Sequence, residues 1–210
     1  MGSAAEVYMG WIDAAVQHAE PAGQDTVQPI WDAWDARSAE VQAADSIAYN
    51  ERLLRRFESL NEDELSKMHL DLFGMQLDAA GLARLRLAEV AVHSWDIAVA
   101  LDPAATVSAK AVDLLIDTLG LVAGFTGKPQ GTTYRLRVRT TDPRRVLSLR
   151  VADAVDLTEW EDGTEDGVLQ IPAEGFLRLA YGRLDPDHTP EYEITGPADM
   201  DELRRMFPGP

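Results

Sequence analysis

Four polar residues on one predicted helix offer the chemistry in this chain: Arg86, Glu89, His93 and Asp96, in the run Arg86-Leu-Ala-Glu89-Val-Ala-Val-His93-Ser-Trp-Asp96. They sit at i, i+3, i+7 and i+10, so at about 100° per residue they fall within roughly 80° of one another. Glu89 and His93 are one turn apart, and a carboxylate oxygen and an imidazole nitrogen can converge there on one cation. Mixed nitrogen and oxygen ligation suits zinc, and also nickel or iron. Arg86 and Asp96 are placed behind that pair to orient it. The same spacing also makes an ordinary surface ion pair. The flanks weigh against that: Leu85, Leu87, Val90, Val92, Trp95, Ile97 and Val99 make the helix so apolar that a polar stripe on it should be buried and partnered. All four polar residues are therefore expected to line the inside of a helical bundle.

The elements that must position them follow from periodicity. Val7, Trp11, Ala14, Ala15 and His18 keep the 3.6-residue period of one helical face, which Pro21 and Gly23 end. A second, longer helix is expected from Pro29, with Ile30, Trp34, Val41, Ala44, Ile47, Ala48, Leu54 and Phe57 as its apolar stripe. Asn61-Glu62-Asp63-Glu64 is a charged turn and a helix-start signal. A third long helix covers residues 78–101, stopped by Asp102-Pro103, and a fourth runs from Thr106 or Ser108 to Phe125. Four long helices with short connections predict a four-helix bundle over residues 1–126. The segment 126–131 reads as a linker. Beyond it Tyr134 to Arg139 and Val146 to Val151 alternate as half-buried strands, and residues 153–160, 168–171 and 191–195 are further strands. Residues 172–181 and 198–207 read as helices. The fold class expected is α+β, with a small α+β domain over residues 132–210.

Composition removes whole classes of function. With no cysteine there are no disulfides, thiolate ligands or cysteine nucleophile, and any thiol chemistry needs a thiol from outside. With 36 acidic residues against 19 basic, the net charge of -17 repels phosphate backbones, so nucleic acid is not expected as a partner. No apolar run approaches the ~18 residues of a membrane span, and residues 1–6 lack signal-peptide character. The reading is a cytoplasmic protein acting on a small molecule. Oligomeric state is not legible. Trp11, Trp31, Trp34 and Trp95 are expected in the bundle core, and His69 and His188 as surface or packing residues.

The motif Arg86-x-x-Glu89-x-x-x-His93-x-x-Asp96-Ile-Ala resembles the metal-binding helix of the mycothiol-dependent maleylpyruvate isomerase family, whose bundle is DinB-like. Ile171-Pro-Ala-Glu-Gly-Phe-Leu-Arg-Leu-Ala-Tyr-Gly182-Arg183-Leu184, then Ile194-Thr-Gly196 and Phe207-Pro208-Gly209, resemble that family's C-terminal domain, which is related in fold to sterol carrier proteins. The resemblance spans nearly the whole chain.

It implies a divalent metal, zinc first, held by His, Glu and His with an open position where mycothiol becomes a thiolate. The thiolate adds to the activated double bond of maleylpyruvate, permits rotation and leaves; relatives transfer thiols to other electrophiles. The resemblance also gives Arg183 the task of holding a cofactor or substrate anion, for which guanidinium geometry is suited. The plainer alternative is a surface arginine paired with Asp185 or Asp187. A non-catalytic relative that binds a small ligand remains the second functional reading. In the family the first metal-binding histidine lies in a His-Leu pair preceding a segment like Gly2-Ser3-Ala4-Ala5-Glu6, so Met1 stands at the leucine. The expectations are a chain shortened at this end, an incomplete metal site, and Met1 near Glu89 and His93. His18 lies about 27 Å too far along the helix to substitute.

Overall fold

The structure, a computed structural model, describes residues 1–72 and 74–209, and these form two compact units, Met1–Val90 and Ala91–Pro210.

The first unit is helical. Helix α1 (Gly2–Val16) lies against α2 (Gln24–Asp35) and α3 (Ala39–Glu58), and buries Ala5, Tyr8, Ile12 and Ala15. The single helix expected from Pro29 is two helices. Helix α2 starts at Gln24, which leaves Pro29 inside it, and the chain breaks at residues 36–38, where the Ser38 hydroxyl accepts from the Val41 N–H to cap α3. The break resets the helical phase. On α3 the covered line becomes Gln42, Asp45, Ser46, Tyr49, Asn50, Leu53 and Phe57, while Val41, Ile47 and Leu54 of the expected stripe are exposed. Trp11 and Trp34 are buried as expected, but Trp31 remains 41% exposed, because α2 turns Val27 and Trp34 inward. Helix α4 (Glu62–Lys67) begins with a reciprocal cap: the Asn61 side chain accepts from the Glu64 N–H, and the Glu64 carboxylate accepts from the Asn61 N–H. A short antiparallel hairpin, β1 (Leu70–Leu72) with β2 (Met75–Leu77), then leads into α5 (Ala79–Val99). The hairpin has three-residue strands and was not read from the sequence.

The second unit takes the rest of α5, then α6 (Ala109–Leu115), a 3-10 turn and α7 (Leu119–Thr126), before the strands. Strands β3 (Tyr134–Thr141), β4 (Arg145–Val151), β5 (Val155–Glu159) and β6 (Gly167–Pro172) precede α8 (Ala173–Ala180), and β7 (Glu193–Thr195) precedes α9 (Met200–Met206). The sheet order is β5-β4-β3-β6-β7, antiparallel except for the β3–β6 pair. Its buried face carries Tyr134, Leu136, Val138, Leu149, Leu169 and Ile171, and α8 packs on it through Phe176 and Leu177. The helix expected at 106–125 belongs to this unit: α7 lies on β5, so close that a Cβ on Gly120 would meet the Leu157 carbonyl at 2.5 Å. The chain is thus α+β, helical in its N-terminal part and sheet-based in its C-terminal part. Among the described residues, no helix is long and apolar enough to cross a membrane.

Candidate functional site

Helix α5 carries the four polar residues, but not with one environment. Arg86 is buried; the Glu89, Asp96 and His93 side chains are 24%, 33% and 46% exposed. The expectation that all four are buried therefore holds for Arg86 and fails for His93. The buried positions of the helix are Leu82, Arg86 and Ala88 in the first unit and Val92 and Trp95 in the second. At about 100° per residue, Ala88 and Trp95 point roughly opposite to Arg86, while His93 lies within about 20° of it, so the side that is covered at Arg86 is open at His93.

The polar residues form two pairs, each three residues apart. In the first unit, Arg86 Nη2 donates to the Met1 carbonyl (2.9 Å) and to Asn50 Oδ1 (2.7 Å), while Nη1 lies 2.7 Å from Glu89 Oε2. That last contact is an ion pair without hydrogen-bond alignment, and the buried Nε has no partner among the described residues. The guanidinium also lies over the Tyr8 ring, at 5.4 Å. Met1 thus meets the residue that holds Glu89.

In the second unit, His93 Nδ1 lies 3.0 Å from Asp96 Oδ2. A carboxylate only accepts, so Nδ1 carries the proton and Nε2 is the nitrogen left to bind something else. The other oxygen of Asp96 accepts from Arg183 Nε at 3.4 Å, and Arg183 Nη1 donates to the Tyr181 carbonyl at 2.6 Å. Among the described residues Arg183 Nη2 has no hydrogen-bond partner. Asp96 therefore bridges His93 and Arg183. The alternative pairing of Arg183 with Asp185 or Asp187 is not formed, since the Asp185 carboxylate takes the His188 ring at 2.9 Å. Burial would raise the Asp185 carboxyl, but hydrogen bonds from the His188 ring and the backbone N–H groups of His188 and Asp187 outweigh it and hold the pKa below the ordinary value. Burial pushes the Tyr181 phenol up to about 12, so it stays neutral across the working range of pH. A cavity of about 280 Å³ opens beside Gly182, lined by Leu179, Leu184, Asp185, Arg204 and Phe207.

Residues 3–98 match the family model for the mycothiol maleylpyruvate isomerase N-terminal domain. This segment belongs to that family. The maleylpyruvate isomerase fold extends over the chain: the crystal structure of the mycothiol-dependent maleylpyruvate isomerase superposes with a TM-score of 0.62 at 16% identity, covering 94% of this chain and 76% of the other. A histidine-to-alanine mutant of that enzyme superposes with a TM-score of 0.59 at 16% identity, covering 87% and 70%. None of the curated proteins matches.

Two features of the site were missed in the sequence. Asn50 holds Arg86 from a helix whose inward face is polar, and nothing in the local pattern marks it. The Glu174–Arg178 pair at i, i+4 was legible as a salt bridge of α8, but not as the buried centre of a network.

Proposed function

We propose that this chain is a metal-dependent enzyme that uses a low-molecular-weight thiol, mycothiol or a close relative, to isomerise or to modify by thiol transfer a small anionic electrophile. The observation that carries this reading is the His93–Asp96–Arg183 chain of contacts, which sets a fixed imidazole nitrogen and a guanidinium with a spare donor on the two sides of one carboxylate. Neutral imidazole and carboxylate suit zinc, nickel or iron, and His93 with its Nδ1 bonded to Asp96 has the tautomer a ligand needs. Glu89 and His93, one turn apart on α5, would hold the cation. It would supply an acidified thiol, that is, a thiolate at neutral pH.

The chain's own residues do the rest. Asp96 fixes the His93 ring, Arg86 restrains the Glu89 carboxylate, and Arg183 Nη2 offers a donor to a substrate carboxylate. Anchoring that carboxylate while the rest of the molecule rotates is what a cis–trans isomerisation asks of a protein.

One observation favours a second reading, a ligand-binding relative without catalysis: among the described residues no group of three or more histidine, cysteine, aspartate or glutamate side chains is placed to hold a metal. Catalytic zinc sites commonly take three protein ligands. Metal analysis separates the two. Protein purified without a metal-affinity resin should carry zinc, nickel or iron near one equivalent, and His93→Ala should lose it. Metal-free protein that cannot be loaded would leave the binding reading. Arg183→Gln should then raise KM for an anionic substrate while leaving metal content unchanged.

A further inference from the structure

Arg178, in the last turn of α8, is 4% exposed and donates from all three of its nitrogens. Its Nε and Nη2 donate to the two oxygens of Glu174 at 2.7 and 3.0 Å. Its Nη1 donates to two backbone carbonyls that follow the helix, His188 at 2.7 Å and Arg183 at 3.4 Å. The guanidinium lies 4.7 Å from the Trp95 ring centre, on α5 next to Asp96. Glu174 in turn accepts the Val107 N–H at 3.0 Å, and Trp95 donates to the Ala105 carbonyl at 2.9 Å. One buried, charge-balanced pair therefore reaches the α8 C-terminus, the 183–188 loop, the segment before α6 and the Asp96 turn of α5.

A buried ion pair of this kind adds little net stability over an apolar pair of the same volume. Its geometry is specific, however. A guanidinium presents its donors in a rigid planar fork, which neither the rotating ammonium of a lysine nor an apolar side chain reproduces. The acceptor that matters is Arg183. Its N–H donates to the Arg178 carbonyl at 2.7 Å and its own carbonyl faces Arg178 Nη1, so the Arg178 residue holds the Arg183 peptide from both sides. Gly182, with φ +70°, supplies the turn that makes this possible. Trp95, on the other side of the guanidinium, carries the next residue of α5, Asp96, to which Arg183 Nε extends.

We infer that Arg178, with Glu174 as its counter-charge, is the positioning residue of the site: it sets Arg183 against Asp96 so that Nη2 is presented to an anion. This rests on the reading of Arg183 as the anion-binding arginine, and its test needs neither metal nor turnover. The full chain and its Arg178→Lys and Arg178→Met variants are treated with phenylglyoxal, and the modification rate of each arginine is followed by peptide mass spectrometry. In the native chain Arg183 reacts slowly, held by Asp96 and the Tyr181 carbonyl. In both variants its rate rises about fivefold, the change that follows from losing hydrogen bonds of ordinary strength. Arg55 and Arg137 are unchanged; Arg55 is freely exposed, and Arg137 is held by Glu165 elsewhere in the same unit. The lysine variant keeps the charge and the stem, so it supplies the answer if the methionine variant does not fold. An unchanged Arg183 rate in the folded lysine variant overturns the inference, and so does a rise shared equally by Arg137, which marks general loosening. A chain that binds no metal would remove the enzymatic reading and leave this result standing.

Discussion

Replacing Arg86 by methionine probes the interior end of the first unit. Arg86 is 6% exposed and makes two aligned hydrogen bonds, to the Met1 carbonyl and to Asn50, besides its ion pair with Glu89. Methionine keeps the volume and removes all three. Hydrogen bonds from a charged donor are worth about 1.5–3 kcal/mol each. Against their loss stands the relief of the buried Nε, which has no partner among the described residues and costs about 1–3 kcal/mol where it is. The Glu89 side chain is 24% exposed and regains water, so the severed ion pair adds little. The net is a destabilisation of about 2–3 kcal/mol. With a urea slope near 2 kcal/mol/M, the unfolding midpoint should fall by about 1 M. Hydrogen exchange read by peptide should place the loss in α1, α3 and the first half of α5. An unmoved midpoint would mean that the three contacts only balance the cost of burying the guanidinium. A loss located in the sheet unit would refute the assignment altogether.

Two further outcomes follow from other sites. The Arg145 guanidinium donates to both oxygens of Asp117 and outweighs partial burial to hold the carboxyl pKa below its ordinary value. A depressed folded pKa stabilises fully above the ordinary value near 3.9 and loses its effect as pH falls through the folded value. Because Asp117 is 55% exposed, screening keeps the contribution to about 0.5 kcal/mol. Asp117→Asn should be less stable than the native chain at pH 6, and the deficit should shrink as pH falls below the ordinary carboxyl value and vanish once it passes the folded value, by denaturant titration across that range. A deficit that persists in acid would show a cause other than the carboxylate charge. Gly182→Ala should cost about 1–3 kcal/mol, since φ is +70° and a Cβ would overlap the Gly209 amide. Calorimetry would show a drop of several degrees in Tm, and an unchanged Tm would mean that the 208–209 segment moves aside freely.

Much of the architecture was legible because α5 and the strands obey strong periods. The segment expected at 78–101 is helical over Ala79–Val99, and the alternation from Tyr134 to Arg139 is that of β3. The break before Ser38 was not legible, since Trp34-Asp-Ala-Arg-Ser holds no glycine or proline and a serine cap looks like any exposed serine. Missing it reversed the sides of α3, whose covered line is half polar because it faces Gly2, Arg86 and their partners. The candidate site was legible as residue types on one helix. Its division into two pairs was not, because the side of α5 that is covered at Arg86 is open at His93, two turns later. No single-helix wheel contains that information. The Asp96–Arg183 contact joins residues 87 positions apart, and only the resemblance suggested considering the two together.

Asp96 has one negative charge and two cationic or proton-bearing neighbours, and this makes the site a balance. A carboxylate arriving at Arg183 competes with Asp96 for the guanidinium. As Arg183 turns toward the newcomer, the charge of Asp96 is left to the His93 Nδ1–H alone, and the Nε2 of the same ring becomes the stronger electron donor. Linkage requires the reverse as well: a Lewis acid drawn to Nε2 pulls Asp96 toward His93 and frees Arg183 for an anion. Each ligand should therefore bind more tightly when the other is present. Zinc titrations with and without a small dicarboxylate would measure the coupling, and Asp96→Asn, which keeps the shape and removes the shared charge, should bring it close to zero.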